Sequence, residues 1–172
     1  MAIVGRAGSI LGTGHGAAID AADLVVRINW VLPIPPEQAA DVGTRTDLVY
    51  HCRRARTART TAKDLGVSTL RVSGKLRKAA AKKYFKRPKA FRPTTGLMAA
   101  LEALAGGASE VALYGFDCFR SGHVQEREPA GDDYSGPLGW AHNPEEERLI
   151  WRRLFRKAPR LKPDHVFRAA VK

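Results

Sequence analysis

No stretch of the 172-residue sequence is apolar for long enough to form a membrane-spanning helix, which needs about 20 consecutive apolar residues. The start also lacks a charged segment followed by an apolar one, so it shows no secretory signal. Only two cysteines occur, Cys52 and Cys118, and they give no metal-binding spacing and allow one disulfide at most. We therefore expect a soluble, cytoplasmic protein in which both thiols are reduced.

Acidic residues are scarce, with 17 Asp and Glu against 29 Lys and Arg and a net charge of +12. The excess is concentrated in residues 53–92, where 15 side chains are basic and one is acidic. Such a charge run is usually the solvated face of helices, but it can also attract an anionic membrane, an acidic glycan or nucleic acid. Because Tyr84, Phe85 and Phe91 are interleaved among these cations, a peripheral contact with the inner face of an anionic membrane is one interpretation.

Glycine, in contrast, is abundant near the start of the chain. Residues 2–4 predict a short strand, and residues 5–16, which follow it, hold five glycines. Glycine reaches left-handed backbone angles and lets the backbone approach a ligand closely, so a strand that ends in such a loop is typical of a phosphate or nucleotide seat. The spacing does not meet the G-x-G-x-x-G pattern of dinucleotide-binding folds.

Two further segments favour a ligand site at the end of a sheet. The apolar run at 24–26 predicts a buried strand that delivers Arg27 and Asn29 at its carboxyl end, where open α/β sheets place ligand contacts. Later, the sequence Thr-Thr-Gly at 94–96 precedes a predicted helix at 97–105 and offers hydroxyl and N–H groups at its positive end. A strand is predicted at 110–117.

A polar segment at 117–141 predicts a long loop. It is rich in Gly, Asp and Pro, and loops of this length tend to be lids or binding elements. Its three aspartates, Asp117, Asp132 and Asp133, suggest a divalent cation as one interpretation. It also contains His123, although a lone loop histidine is more often a solvent-exposed residue.

A helix is predicted to start directly after His142. Asn143 is a good N-cap, Pro144 suits the first helical position, and three acids fill the first turn. The partial positive charge of a helix start favours the neutral imidazole that a general base needs, while the three acids oppose this effect.

In their order along the chain, these segments resemble the long, short and very short motifs of the eukaryotic-type sialyltransferase family, glycosyltransferases that use a CMP-activated acidic sugar. The long motif is matched by Val-Gly-x-x-Gly-x-Ile from Val4, by Ile19-Asp20, by Asp-x-Val-x-Arg-x-Asn ending at Asn29, and by Asp-Val-Gly-x-Arg-Thr from Asp41. The short motif is matched by Pro-Thr-Thr-Gly-Leu-Met from Pro93 and by Leu-Tyr-Gly-Phe ending at Phe116, and the very short motif by His142-x-x-x-x-Glu147. The resemblance covers 3–47, 93–117 and 140–155 and leaves 53–92 unmatched.

Two departures from the family pattern affect expected ligand contacts. Arg6 stands where the family usually has Asn, which replaces one contact to the nucleotide by a charge. Asp133 and Tyr134 stand where a His-Tyr pair is usual, so the phosphate contact of that histidine is missing there. His123, farther back in the same loop, is the candidate to replace it.

The resemblance implies an α/β fold, a single Rossmann-like domain of the variant GT-A type over 1–172. A mostly parallel sheet would be flanked by helices, with the basic helical segment 53–92 inside the domain. It implies a minimal, soluble, bacterial member that transfers an acidic sugar from a donor such as CMP-sialic acid to the hydroxyl of a glycan or glycolipid. Transfer would proceed with inversion and with neither a metal nor another cofactor.

The resemblance also implies roles for individual residues. His142 is expected to be the general base. The expected donor and nucleotide contacts are Gly5, Arg6, Gly8, Ser9, Asn29, Thr94, Thr95, Gly96, Gly115 and Phe116. Further loop candidates are His123, Asp133, Tyr134 and Glu147.

Two alternatives stay open. CMP-Kdo, an eight-carbon acidic sugar donor, has the same leaving group, and nothing in the sequence separates the two donors. A function of another class is a basic nucleic-acid-binding module. The absence of a recognised binding motif and the ten acidic residues of 93–147 argue against that module.

Overall fold

The computed structural model describes residues 1–86, 92–125 and 142–172, and these form an open sheet with helices on both faces. Within the described ranges the sheet has six strands in the order β4-β3-β2-β1-β5-β6, and every pair is parallel. The expected α/β class, with a parallel sheet flanked by helices, is confirmed. The strands are β1 (Ala2–Val4), β2 (Val25–Ile28), β3 (Leu48–His51), β4 (Ser68–Arg71), β5 (Val111–Tyr114) and β6 (Leu161–Pro163).

The helices divide between the two apolar clusters that cover the sheet. The first three contribute to one cluster and the last four to the other. None of the helices in the described ranges is long and apolar enough to cross a bilayer. The helices are α1 (Gly16–Asp20), α2 (Ala39–Val42), α3 (Arg56–Asp64), α4 (Gly74–Tyr84), α5 (Thr95–Ala105), α6 (Pro144–Lys157) and α7 (His165–Ala170), with 3-10 turns at Gly8–Ile10 and Pro36–Gln38.

The order of the strands reverses between β1 and β5. The chain first adds β2, β3 and β4 on one side of β1 and then returns to add β5 and β6 on the other. In open parallel sheets, ligands bind in the crevice at such a reversal, outside the carboxyl ends of the strands. The candidate site therefore lies where β1 and β5 end, at Gly5 and Gly115.

Most elements predicted from the sequence are present within a few residues. The strands predicted at 2–4, 24–26 and 110–117 correspond to β1, β2 and β5, and the helices predicted at 97–105 and after Asn143 correspond to α5 and α6. The sequence pattern does not predict β3, β6 or the short helices α1, α2 and α7. Strand β6 ends in Pro163, which an edge strand tolerates because its outer side needs no hydrogen-bond donor. Both cysteines are free thiols, as expected.

One residue expected to face a ligand lies in the core instead. Arg27 is fully buried, and its guanidinium donates to the carbonyl oxygens of Val42 and Arg45 and to Thr46 Oγ1 over 2.8 to 3.1 Å. It also lies 5.3 Å from the ring centre of Trp30. Burial lowers the pKa of Arg27 to about 10, so the group stays charged at neutral pH and needs these acceptors. The prediction that Arg27 contacts a ligand is wrong, because the side chain anchors the connection between β2 and β3.

Other residues of the long motif stabilise the same connection. The Asp20 carboxylate accepts from the N–H groups of Thr44 and Arg45 at 2.9 to 3.0 Å. Gly43 has a φ of +67°, and a Cβ there would lie 2.3 Å from Asp20 Oδ1. Arg45 in turn donates to three carbonyl oxygens at the end of α1 and just after it. Much of the motif therefore holds the sheet beside the site and does not form the site itself.

Candidate active site

Two glycines bring the ends of β1 and β5 into direct contact. The Gly5 N–H donates to the Tyr114 carbonyl at 2.8 Å, and the Ala7 N–H donates to the Gly115 carbonyl at 3.0 Å. A Cβ on Gly5 would lie 2.2 Å from the Gly115 oxygen, and Gly115 has a φ of +68°. Both positions therefore require glycine, because the two loops meet backbone to backbone at the base of the crevice.

Replacing Gly5 with alanine is expected to lower the free energy of unfolding by about 2 to 4 kcal/mol. The added methyl group would overlap a carbonyl oxygen that cannot move without shifting β5. Chemical denaturation followed by circular dichroism measures the effect. Gly74→Ala is the matched control, because a Cβ there meets no atom within 4 Å and the residue lies in the first turn of α4. Equal stabilities for the two variants would contradict the close contact of the loops.

The N–H groups of the glycine turn after β1 are used inside the fold. The Gly8 N–H donates to the Gly122 carbonyl at 2.6 Å, and the Ser9 N–H donates to Ser121 Oγ at 3.0 Å. These donors, which the sequence suggests for a nucleotide phosphate, therefore point at the loop after β5. The candidate ligand contacts in this turn are its closely packed backbone and the side chain of Arg6.

A carboxylate of the protein occupies the second half of the glycine loop. Asp41 accepts from the Gly12 N–H through Oδ2 and from the Gly14 N–H through Oδ1, both at 2.8 Å. These backbone hydrogen bonds lower the pKa of Asp41. Gly12 and Gly14 have φ values of +78° and +67°, as in backbone turns that bind anions. The expected anion seat is present here, but an aspartate from the same chain fills it.

Asn29 lies at the carboxyl end of β2 in a conformation that few side chains tolerate. Its φ is +57°, a left-handed value that asparagine adopts more readily than most residues. Its Oδ1 accepts from the Cys52 N–H at 2.9 Å, which directs the amide nitrogen away from that contact. Within the described residues this nitrogen has no hydrogen-bond partner. Asn29 is half-buried and holds a donor at the strand end where a ligand is expected.

His51, at the end of β3, is a further candidate that the motifs do not single out. It is 4% exposed, and its Nδ1 lies 3.0 Å from the carbonyl oxygen of Cys52, the residue whose N–H binds Asn29. Because a carbonyl only accepts, this contact selects the tautomer with the proton on Nδ1 for a neutral ring. A histidine at the carboxyl end of a buried strand is the signal that points to it.

Residues of the short motif close the other side of the crevice by packing. A Cβ on Gly96 would lie 2.3 Å from the Phe116 ring, so glycine lets the start of α5 rest on this side chain. The Phe116 ring stacks on Phe167 at 5.3 Å between centroids. We find Gly96 and Phe116 in contact at the edge of the site, with the aromatic ring directed into the core.

Asp117 organises the turn after β5. It is 4% exposed and accepts from Ser9 Oγ at 3.0 Å, from the Ser121 N–H at 2.9 Å and from the Arg120 N–H at 3.2 Å. The Ser121 hydroxyl donates to the same carboxylate. This set of donors satisfies the hydrogen-bonding capacity of the buried carboxylate. The other two acids of the cation interpretation, Asp132 and Asp133, lie outside the described residues, as does Tyr134.

Glu147 joins the starts of α5 and α6. Its Oε2 accepts from the Thr94 N–H at 3.0 Å, and its Oε1 accepts from the Thr94 hydroxyl. Thr94 Oγ1 also accepts from the Leu97 N–H at 3.2 Å as the N-cap of α5, while Thr95 Oγ1 accepts from Arg77 Nη2 at 3.3 Å. Burial raises the pKa of Glu147 to about 7, although its bonds to Thr94 oppose the shift. The motif glutamate thus fixes α6 against the donor-site threonines.

The buried carboxyl group of Glu147 is expected to make stability depend on pH. Its folded pKa of about 7 lies above the ordinary 4.5, so the folded state binds the proton more tightly than the unfolded chain. The free energy of unfolding should therefore fall by up to about 3 kcal/mol as pH rises from about 4.5 to about 7. Glu147→Gln should remove this part of the pH dependence in denaturation curves. Glu37→Gln, at an exposed glutamate, is the control, and a Glu147→Gln curve parallel to the wild type would contradict the assignment.

His142 lies directly before α6 with its ring orientation fixed. Nδ1 is 2.7 Å from the Arg92 carbonyl oxygen, and the ring stacks on Phe119 with centroids 6.2 Å apart and planes at 20°. Because the carbonyl only accepts, Nδ1 carries the proton in the neutral ring and the lone pair lies on Nε2. Asn143 caps the helix as predicted, with its Oδ1 accepting from the Glu146 N–H at 3.1 Å. The imidazole thus has the fixed tautomer that a general base uses.

The loop after Asp117 folds back over the glycine turn. His123 forms an isolated antiparallel bridge with Ala7, and the Val124 N–H donates to the Arg6 carbonyl at 2.9 Å. The Gln125 side chain pairs with both backbone groups of Val31, each at 2.8 Å. The part of the loop that the structure describes therefore brings His123 next to the turn that carries Arg6.

The sequence and fold match known glycosyltransferases. Residues 2–76 match the model of glycosyltransferase family 29 (sialyltransferase). A mammalian sialyltransferase solved in complex with Gal-beta-1-3GalNAc-ortho-nitrophenol shares 19% sequence identity at a TM-score of 0.64, over 94% of this chain and 67% of that chain. A second crystal structure of a mammalian sialyltransferase gives the same values. A search of curated protein sequences returned no significant match.

The crevice at the reversal of the strand order contains the glycine turn, and His142 lies directly before α6 with its ring orientation fixed. Residues 2–76, less than half of the chain, are similar to the sialyltransferase family, and the two solved sialyltransferases share the fold. The matched residues include the glycine turn and Asn29, and they end before α5 and His142.

Proposed function

We propose that the protein is a metal-independent, inverting sialyltransferase-like enzyme with a CMP-activated acidic sugar as donor and a glycan or glycolipid hydroxyl as acceptor. The observation that carries this proposal is the geometry of His142, whose Nδ1 faces the Arg92 carbonyl so that Nε2 holds the lone pair. The family match to residues 2–76 supports the nucleotide half of the site. The mammalian relative solved with a disaccharide derivative supports a glycan as the acceptor class.

The proposed reaction is a single displacement at the anomeric carbon. The acceptor hydroxyl gives its proton to Nε2 of His142 as its oxygen forms the new bond to the anomeric carbon. The bond from that carbon to the CMP phosphate oxygen breaks, and the electron pair leaves with CMP. The imidazolium then releases its proton to water. Attack on the face opposite the leaving group inverts the configuration.

On the donor side, we assign the nucleotide to the edge formed by the glycine turn and Asn29. The Asn29 amide nitrogen is the donor that the strand end offers, and the Arg6 guanidinium supplies positive charge for the leaving phosphate. Thr94, Thr95, Gly96, Gly115 and Phe116 shape the wall of this site through the contacts described above. CMP-sialic acid and CMP-Kdo both fit this proposal, since they share the leaving group.

Thermal unfolding with candidate ligands tests the proposal against the nucleic-acid alternative. CMP at about 100 times its dissociation constant should raise the midpoint by about 5 to 10 °C by mass action. UMP should give a smaller shift, and a duplex oligonucleotide should give none at 0.15 M salt. Stabilisation by the duplex and not by CMP would replace the enzyme proposal by the binding-module alternative.

Activity is expected to persist in excess EDTA, because the leaving phosphate is stabilised by protein donors. Within the described residues, no group of three or more metal-ligating side chains is found, and the Asp117 carboxylate is already hydrogen-bonded to three residues. Transfer measured before and after chelation should agree within about two-fold. Loss of activity that magnesium or manganese restores would instead indicate a carboxylate-held metal.

We also propose that the basic segment contacts an anionic membrane. In residues 53–86, eleven of the twelve basic side chains are exposed, and Leu70 and Leu76, each 48% exposed, lie among them. Phe85, one of the aromatic residues in the sequence argument, is buried in the core and cannot insert. The cations and leucines of the edge strand β4 and of α4 therefore carry this surface.

Sedimentation with vesicles tests the membrane contact. The protein should bind vesicles that contain phosphatidylglycerol and not neutral ones, and binding should weaken in 0.5 M salt. The double change Lys75→Glu with Lys78→Glu should abolish binding. The same change at Arg152 and Arg153, exposed cations of α6, is the control and should retain it. If both variants lose vesicle binding equally, the contact depends on overall positive charge and not on a defined surface.

Three further expectations from the sequence stay predictions. They are the variant GT-A classification, the single domain over 1–172 and the bacterial origin.

A further inference from the structure

The backbone after β5 holds two consecutive residues in a conformation that is unfavourable for them. Cys118 and Phe119 have φ values of +58° and +66°. Left-handed values are uncommon for residues other than glycine, and an aromatic residue there is an outlier. Strained residues of this kind cluster at functional sites, where the surrounding contacts hold them in place. The position of Phe119 therefore needs a reason that lies outside its own backbone.

The contacts around the turn are sufficient to hold this strain. The buried Asp117 carboxylate accepts from the N–H groups of Arg120 and Ser121, on the far side of the strained pair. The same carboxylate accepts from Ser9 Oγ, which ties the turn to the loop after β1. Cys118 packs against the core cluster. The strained pair is thus fixed at both ends, and the ring of Phe119 projects from a rigid base.

The Phe119 ring contacts the imidazole of His142. Its plane lies at 20° to the imidazole with 6.2 Å between centroids, within the range of offset stacking. The imidazole is held at its edge by the Arg92 carbonyl, 2.7 Å from Nδ1. One contact fixes the tautomer and the other fixes the plane of the ring. Together they leave His142 little rotational freedom about its side-chain bonds.

We infer that Phe119 is a positioning residue for the general base, held in a strained conformation so that its ring orients His142 and stabilises the imidazolium formed during transfer. The inference rests on the proposed role of His142. The face of an aromatic ring attracts a cation more strongly than a neutral group. The contact between Phe119 and His142 therefore strengthens as Nε2 takes the proton of the acceptor hydroxyl. An interaction that is stronger in the transition state than in the ground state raises the rate of the chemical step and not only substrate binding.

Conservative changes at Phe119 separate positioning from a purely structural role. Phe119→Leu keeps an apolar side chain but removes the flat ring, and should lower kcat by about 5- to 50-fold with the donor KM within about two-fold. Phe119→Tyr should restore kcat to within about two-fold of the wild type. Phe155→Leu is the matched control, because this partly buried ring stacks on Trp151 and packs edge to face against Phe167 in the core. It should lower the melting temperature and leave kcat unchanged.

An activity-independent readout keeps this inference separate from the proposed function. In NMR spectra, the ring-proton resonances of His142 should shift in Phe119→Leu and stay in place in Phe155→Leu. If the wild type transfers no sugar, the proposed function fails, while the resonances still decide whether the ring contact exists. Unchanged His142 resonances or a wild-type kcat in Phe119→Leu would overturn the inference.

Discussion

Replacing His142 with alanine is expected to lower the rate of sugar transfer by about 10²- to 10⁴-fold, which is the usual rate enhancement from a positioned general base. CMP should still bind, because the proposed nucleotide contacts are at the glycine turn and Asn29 and not at α6. The rate of the wild type should also fall as pH drops through the titration of the imidazole, since only the neutral ring accepts a proton. Initial rates by CMP release, measured across pH, provide both results.

Two other histidines serve as comparisons for this variant. His165→Ala, at an exposed position at the start of α7, should retain wild-type rates. His123→Ala should have a milder effect than His142→Ala, unless His123 supplies the phosphate contact that the third motif lacks. Near-normal transfer by His142→Ala would show that this residue is only a neighbour of the helix cap. The proposed catalytic role of His142 would then have to be abandoned, even though residues 2–76 match the family model.

Replacing Asn29 with aspartate is expected to weaken CMP binding by about 10- to 100-fold, because a donor to the nucleotide is lost and a negative charge is added beside a phosphate. The aspartate keeps the acceptor that the Cys52 N–H needs, and it also tolerates the left-handed φ of +57°. Isothermal titration with CMP measures the affinity, and circular dichroism checks that the fold is retained.

Asn29→Ala is a poor test of nucleotide binding. The reason is visible in the structure and not in the sequence. An exposed strand end suggests that Asn29→Ala would leave the fold intact. In the structure, alanine would leave the Cys52 N–H without its acceptor and would face a positive φ. Loss of binding in the alanine variant would therefore mix stability with ligand contact. Unchanged CMP affinity in Asn29→Asp, with the fold retained, would remove Asn29 from the nucleotide site.

Local patterns in the sequence predict the parts of the fold that depend on neighbouring residues. The N-cap and proline at the start of α6 place His142 correctly before that helix, and the glycine-rich segment after β1 is a close-contact turn. Both follow from backbone preferences within a few residues. They also locate the candidate site at the end of β1, where the strand order reverses.

Long-range contacts decide what the sequence does not predict. Asp41 fills the turn at Gly12 and Gly14 from 27 to 29 residues away, and Arg27 turns inward because carbonyl groups of the α2–β3 connection are there to accept from it. The Arg92 carbonyl that sets the His142 tautomer lies 50 residues before it. No local pattern encodes these pairs, since each depends on how distant segments meet after folding.

The most direct test of the central claim is a mass-spectrometric assay of the purified protein with CMP-Neu5Ac or CMP-Kdo, with and without glycan acceptors. The proposal predicts release of CMP and an acceptor whose mass rises by one acidic-sugar residue. The product should persist in EDTA and fall by about 10²-fold or more in His142→Ala. A folded protein that consumes neither donor and is not stabilised by CMP would contradict the proposal.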